Sequence, residues 1–109
     1  MRRPLLLMLQ SAVGLLAQGP ATTPPEQLSK VEPDYTPEAR QRAIEGTVEL
    51  YIQVDPNGRA VDPQVIRSLD VGLDQKAIEA VRQWKFKPGY QDGKPVTRPA
   101  TVEVNFRLR

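Results

Sequence analysis

None of the 109 residues is cysteine and none is histidine. Without cysteine there is no disulfide framework, no thiolate nucleophile, no thiolate metal site and no cysteine for lipid attachment. Without histidine the chain lacks the usual general base at neutral pH and the commonest metal ligand. Aromatics are few: one Trp, three Tyr and two Phe. No glycine-rich phosphate cradle is present. The carboxylates are scattered, with no pair fixed by spacing. Asp70 and Asp74 read as a capping pair before a helix. The Asp55-Pro56-Asn57-Gly58 stretch has turn chemistry but not the remaining ligands of a calcium loop. Neither a catalytic residue nor a metal or cofactor site is expected, and the chain does not read as an enzyme.

Long hydrophobic runs are missing too. The one apolar run, residues 5–17, follows Arg2-Arg3 and falls short of the ~20 residues that a spanning helix needs. Residues 1–19 read as a signal peptide, with cleavage expected after Ala17, or else as a short N-terminal anchor. Export to the periplasm is the expectation; anchoring in the inner membrane is the alternative. The 15 basic and 13 acidic residues give a net charge of +2. Loss of Arg2 and Arg3 with a leader makes the two counts equal. A nucleic-acid binder needs a net basic footprint, so that class is not expected. Charge is instead divided along the chain. Residues 26–79 hold 6 basic and 11 acidic residues, and residues 82–109 hold 7 and 2. An acidic partner near the C-terminal part would fit this asymmetry.

Prolines at 20, 24, 25, 33 and 37 exclude a regular helix at the start of the mature chain, and residues 20–35 read as an extended linker. A domain is expected over residues 36–109. Thr36-Pro37 reads as an N-cap with proline at the first helical position, opening a short helix over residues 37–44 with Ala39, Ala43 and Ile44 toward a core. Residues 47–54, TVELYIQV, alternate with the strand period, placing Val48, Leu50, Ile52 and Val54 on one face. Asp55-Pro56-Asn57-Gly58 turns the chain into a second strand. Pro63 confines that strand to an edge or a bulge. Residues 72–83 carry an apolar stripe of Leu73, Ala77 and Val81 at helical spacing. Pro88-Gly89 and Asp92-Gly93 mark a loop. The last segment, TVEVNFRLR, alternates again, with Val102, Val104, Phe106 and Leu108 on one side. The fold class is therefore α+β: a three-stranded antiparallel sheet in the order 2-1-3, with two helices packed on one face. The last strand has a free edge without proline, which is either covered or a docking place.

The stretch VRQWKFKP, residues 81–88, mixes aromatics with basic residues, as single-strand nucleic-acid platforms do. Trp84 falls on the helix stripe and Phe86 follows at strand spacing. Both read as core anchors, with Lys85 and Lys87 alternating outward.

In order along the chain stand Glu32-Pro33-Asp34-Tyr35, Gly46-Thr47-Val48, Asp55 with Asn57-Gly58-Arg59, Leu73-Asp74 with Ala77, residues 80–88 and Asp92-Gly93-Lys94-Pro95-Val96. The whole set resembles the C-terminal domain family of TonB, the energy transducer of Gram-negative bacteria, over about residues 31–109. The helix exit with Trp84, Phe86 and Pro88 is its most specific part. The resemblance implies a periplasmic domain that binds the TonB box, a short extended segment of a TonB-dependent outer-membrane transporter. Binding would add a strand beside the domain's last strand. Thr101, Val102, Glu103, Val104, Asn105, Phe106 and Arg107 would belong to the pairing strand. Glu32, Pro33 and Tyr35 match the family's segment near the transporter plug. The family's motor partners are ExbB and ExbD. A typical transducer also carries a transmembrane helix with a functional His and a long Pro-rich spacer. Here there is no His, and residues 20–37 reach about 60 Å at most, so coupling to a motor does not follow. The alternative is a self-associating interaction module of the same fold, a homodimer paired through the free edge.

Overall fold

The computed structural model describes residues 22–109. The leader expected at residues 1–19 lies outside them. The elements are β1 (Thr22–Thr23), β2 (Glu26–Ser29), α1 (Pro37–Gln41), β3 (Gly46–Val54), β4 (Ala60–Arg67), α2 (Val71–Val81), β5 (Lys85–Lys87), β6 (Gly89–Gln91), β7 (Lys94–Val96) and β8 (Arg98–Phe106). Among the described residues no helix is long and apolar enough to cross a membrane.

The three long strands pair as β4-β3-β8, all antiparallel, so the alternating segments meet in the expected second-first-third order. Their inward residues Val48, Leu50, Ile52, Val54, Val102, Val104 and Phe106 are buried together with Ala39 of α1 and Leu73, Ala77 and Val81 of α2. Both helices thus cover the same face of this sheet. Each begins at a side-chain cap: Thr36 Oγ1 accepts from Ala39 N at 3.1 Å, and Asp70 Oδ2 accepts from Leu73 N at 3.0 Å. Asp74 Oδ1 accepts from Leu69 N at 3.0 Å, so the Asp70/Asp74 pair caps the helix as expected.

A single sheet is not the whole architecture. Two small sheets, β1-β6-β7 and β2-β5, stand beside the main one. Their strands have two to four residues, too few to show a period, and every side chain of β1 and β2 is exposed. Thr22–Thr23 and Glu26–Ser29 form strands, so part of the segment read as a linker pairs with the domain. The loop expected around Pro88-Gly89 and Asp92-Gly93 is instead a hairpin, β6-β7, closed by Asp92 and Gly93 at φ of 52° and 81°. Positive φ at both central residues is what a type I′ hairpin turn requires. The first helix also stops short of the expected Ile44. It ends at Gln41, Ala43 is exposed at φ 55°, and Ile44 is half-buried. The chain must reverse there to enter β3, and Ala43 takes the left-handed conformation at the bend.

Pro63 sits where its missing donor demands. β4 is an edge strand, its register shifts between Tyr51 and Gln53 of β3, and Asp62 has φ 49°. Trp84 and Phe86 are 3% and 5% exposed, so the aromatic-basic stretch is a core anchor.

Gly58 joins the β3-β4 turn to β5. Its carbonyl accepts from Phe86 N at 3.0 Å, and Asp55 Oδ1 accepts from Asn57 N at 2.9 Å and Arg59 N at 3.0 Å. Gly58 has φ 81°, and a Cβ there would lie 2.1 Å from the Phe86 carbonyl oxygen. That neighbour is backbone and cannot step aside. Gly58→Ala should therefore cost more than about 1 kcal/mol, read as a lower urea midpoint, whereas Gly93→Ala, which meets nothing within 4 Å, should lose only the positive-φ preference.

Candidate functional site

β3 and β8 pair over nine consecutive rungs, from Gly46 with Phe106 to Val54 with Arg98, without a register shift. The other edge of β8 pairs with no described strand. Thr101, Glu103 and Asn105 are exposed on the outer face, while Val102, Val104 and Phe106 point into the core. Thr47 Oγ1 donates to Asn105 Oδ1 at 2.7 Å across their rung of this ladder. The pairing residues expected from sequence are therefore brought together on one edge.

A groove of about 470 Å³ runs along that edge. Ala100, Thr101 and Glu103 line one side, Phe86 lies within it, and Pro25, Gln27 and Lys30 line the other. The far wall is the segment holding β1 and β2. Thr23 O and the Arg98 side chain both approach Gly89, close enough to meet a Cβ there at 3.0 and 2.5 Å. At the other end Arg109 Nη2 donates to Glu32 Oε1 at 3.1 Å. The segment thus follows β8 from Arg98 toward Arg109, in the same chain direction. It is held by pairing of β1 with β6 and of β2 with β5, and by Trp84 Nε1, which donates to Val31 O at 2.9 Å. Lys30 Nζ stands 5.6 Å from the centroid of the Trp84 ring. A second groove, about 560 Å³, lies between Leu28 and the Asn57-Gly58 turn, away from any free β8 edge.

The other expected partner-binding group, Glu32, Pro33 and Tyr35, gathers at the C-terminal end of β8. Glu32 is exposed and paired with Arg109. Pro33 is half-buried. Tyr35 packs edge-on against Phe106 at 5.6 Å between ring centroids, with the Arg40 guanidinium 5.2 Å from its own ring. Its hydroxyl donates to Ile44 O at 2.7 Å, so that donor is engaged inside the domain. Arg107 is exposed just beyond the strand. Gln27 and Lys30 were not anticipated as part of any site. Four exposed residues after two prolines carry no apolar alternation, so nothing in the sequence separates a docked strand from a free linker there. Among the described residues no group of three carboxylates could hold a metal ion.

Residues 31–108 match the family described as Gram-negative bacterial TonB protein C-terminal. The chain belongs to this family. It is 41% identical to the Protein TonB of Vibrio cholerae over 81 residues, which is 73% of this chain and 33% of that protein. It is 32% identical to the Protein TonB of Pseudomonas aeruginosa over 101 residues, 84% of this chain and 30% of that one. The chain thus matches about a third of the length of these curated relatives. The solution structure of the Pseudomonas aeruginosa TonB C-terminal domain superimposes with a TM-score of 0.62 at 31% identity, covering 79% of this chain and 88% of that one. The family is one of transport energy transducers in the Gram-negative envelope, not of enzymes.

Burial holds the Tyr35 hydroxyl above its ordinary pKa of 10.0; Glu45 acts in the same direction, while Arg40 and Arg107 oppose it. A raised pKa means that the folded state favours the neutral phenol. Its contribution is complete below pH 10 and is lost as pH rises through the folded value. Tyr35→Phe should cost about 0.5–1.5 kcal/mol at neutral pH through the lost hydrogen bond. It should also flatten the fall in stability above pH 10, both read from denaturant titrations across pH.

Proposed function

We propose that this domain works in the periplasm, where it binds an extended segment of an outer-membrane transporter, the TonB box, by adding it as a strand to β8 in energy-coupled transport across the outer membrane. The observation that carries the reading is the β8 edge: nine regular rungs on one side, and on the other a row of main-chain groups that no described strand pairs with, fronted by a groove. Such a row pairs with another chain wherever one is available. Family membership supplies the kind of partner. Main-chain hydrogen bonds provide the affinity in this mode, and pockets for alternate side chains provide the choice of sequence. Residues 101–107 are the pairing strand of this proposal, and Glu32, Pro33 and Tyr35 lie at the end of it.

The test is calorimetric titration of a synthetic TonB-box peptide into the purified protein. Asn105→Ala should change affinity little, because its side chain is exposed and its main chain is kept. Glu103→Pro, Val104→Pro and Asn105→Pro form a set, since alternate residues direct their N–H to β3 or to the open edge. Where the N–H faces outward, proline removes a donor and disturbs the new ladder. At least one variant that keeps its circular dichroism spectrum should bind about tenfold more weakly or worse. If all three fold and bind as the parent does, strand addition on β8 is wrong. A stable dimer in sedimentation that ignores the peptide would assign the edge to self-association instead.

A further inference from the structure

The outer face of the main sheet carries one rung of charge. Arg67 of β4, Glu49 of β3 and Glu103 of β8 are successive register partners across the three strands. Read from β4, the rung is positive, negative, negative, and no described strand lies beyond Glu103. Glu49 and Glu103 stand directly opposite each other, an arrangement that costs stability in an antiparallel pair. Arg67 flanks Glu49 from the far side, whereas Glu103 has only Glu49 as its neighbour on the rung. Among the described residues neither carboxylate is in an ion pair. Both line the groove along the free edge, together with Lys30. Lys30 is the cation on the opposite wall, but its ammonium is placed over the Trp84 ring. The position that would offset Glu103 is the one that a strand added to β8 would fill.

Resting on the strand-addition reading above, we infer that the groove selects an extended peptide bearing a lysine or arginine on its outward face, directly across from Glu103. A cation there completes the rung as positive, negative, negative, positive. It makes the one favourable cross-strand charge pair available to Glu103 and offsets the Glu49–Glu103 repulsion. The preference is independent of the direction in which the peptide runs, because it concerns a single rung. It also differs from what the basic balance of residues 82–109 suggests, since the residue nearest the added strand at mid-edge is an acid.

The experiment uses the full chain and three nine-residue peptides of alternating valine and threonine, with the central outward threonine replaced by Lys, Gln or Glu. At low salt the Lys peptide should bind about two- to fivefold tighter than the Gln peptide, and the Glu peptide should bind weakest. Salt at 0.5 M should shrink the spread. Glu103→Gln should abolish the Lys preference, and Glu103→Lys should make the Glu peptide the tightest. If the Gln peptide does not bind, strand addition and this inference fall together. If all three peptides bind the parent equally at low salt, strand addition stands and the charge selection is overturned. A Lys preference that persists undiminished in a folded Glu103→Gln protein also overturns it.

Discussion

The pairing of β3 with β8 positions everything else. Nine rungs without a shift put Val48, Leu50, Ile52 and Val54 beside Val102, Val104 and Phe106 on one buried face. A one-residue slip would carry each of these to solvent, so burial fixes the register. The small helices can then close the core with Ala39, Leu73, Ala77 and Val81. A three-stranded sheet nevertheless has two edges, and the chain treats them differently. β4 is interrupted by Pro63 and the left-handed Asp62, which bend it and break its ladder. β8 has no such interruption within its central residues; its one proline is Pro99, beside the strand's start. A protein avoiding edge-to-edge pairing would break or charge both edges. The one regular edge is the feature on which the strand-addition proposal rests.

How far this was legible in the sequence follows from how many residues share one signal. The long strands alternate over eight or nine residues, and their pairing order follows from their lengths and the helix between the second and third. The caps at Thr36 and Asp70 were readable because a side chain two or three residues from its donor is a local arrangement. Trp84 was readable because it continues the α2 stripe. The small sheets were not. β5 is three residues set by where Trp84 buries, and its neighbour β2 has only exposed side chains, so its position is decided by main-chain hydrogen bonds alone. Proline content argues against a helix near residues 22–35 but carries no information about what that backbone pairs with. The end of α1 at Gln41 was equally hidden, because the bend is made by Ala43, a residue that favours continuing the helix.

The site inherits this split. Its β8 side rests on the alternating strand and was named from sequence. Its far wall rests on Trp84, whose indole both fills the core end and donates to the Val31 carbonyl. One side chain therefore links core packing to groove width. Glu32 and Arg109 close the end of the segment with an exposed pair, which adds little by itself. The heavier constraint there is Tyr35, half-buried, edge-on against Phe106 and bonded to Ile44 O, which fixes where the segment meets the end of β8.

The two walls of the groove are consequently held with very different strength. β8 is anchored by nine rungs and by three core side chains, and removing any of those would expose the centre of the domain. The opposite wall contributes no buried side chain from β1 or β2 and is attached through short ladders whose hydrogen bonds are each worth only ~0.5–1.5 kcal/mol net. Opening free energy across a fold scales with the apolar burial and the protected hydrogen bonds of the unit that opens. The wall of residues 22–30 is thus the part that yields at least cost, while the β8 edge it faces stays in place. In the proposed strand addition, a peptide would meet a rigid template on one side and an adjustable boundary on the other. Affinity can then come from the fixed ladder, and side chains of different size on the peptide can be accommodated by the wall.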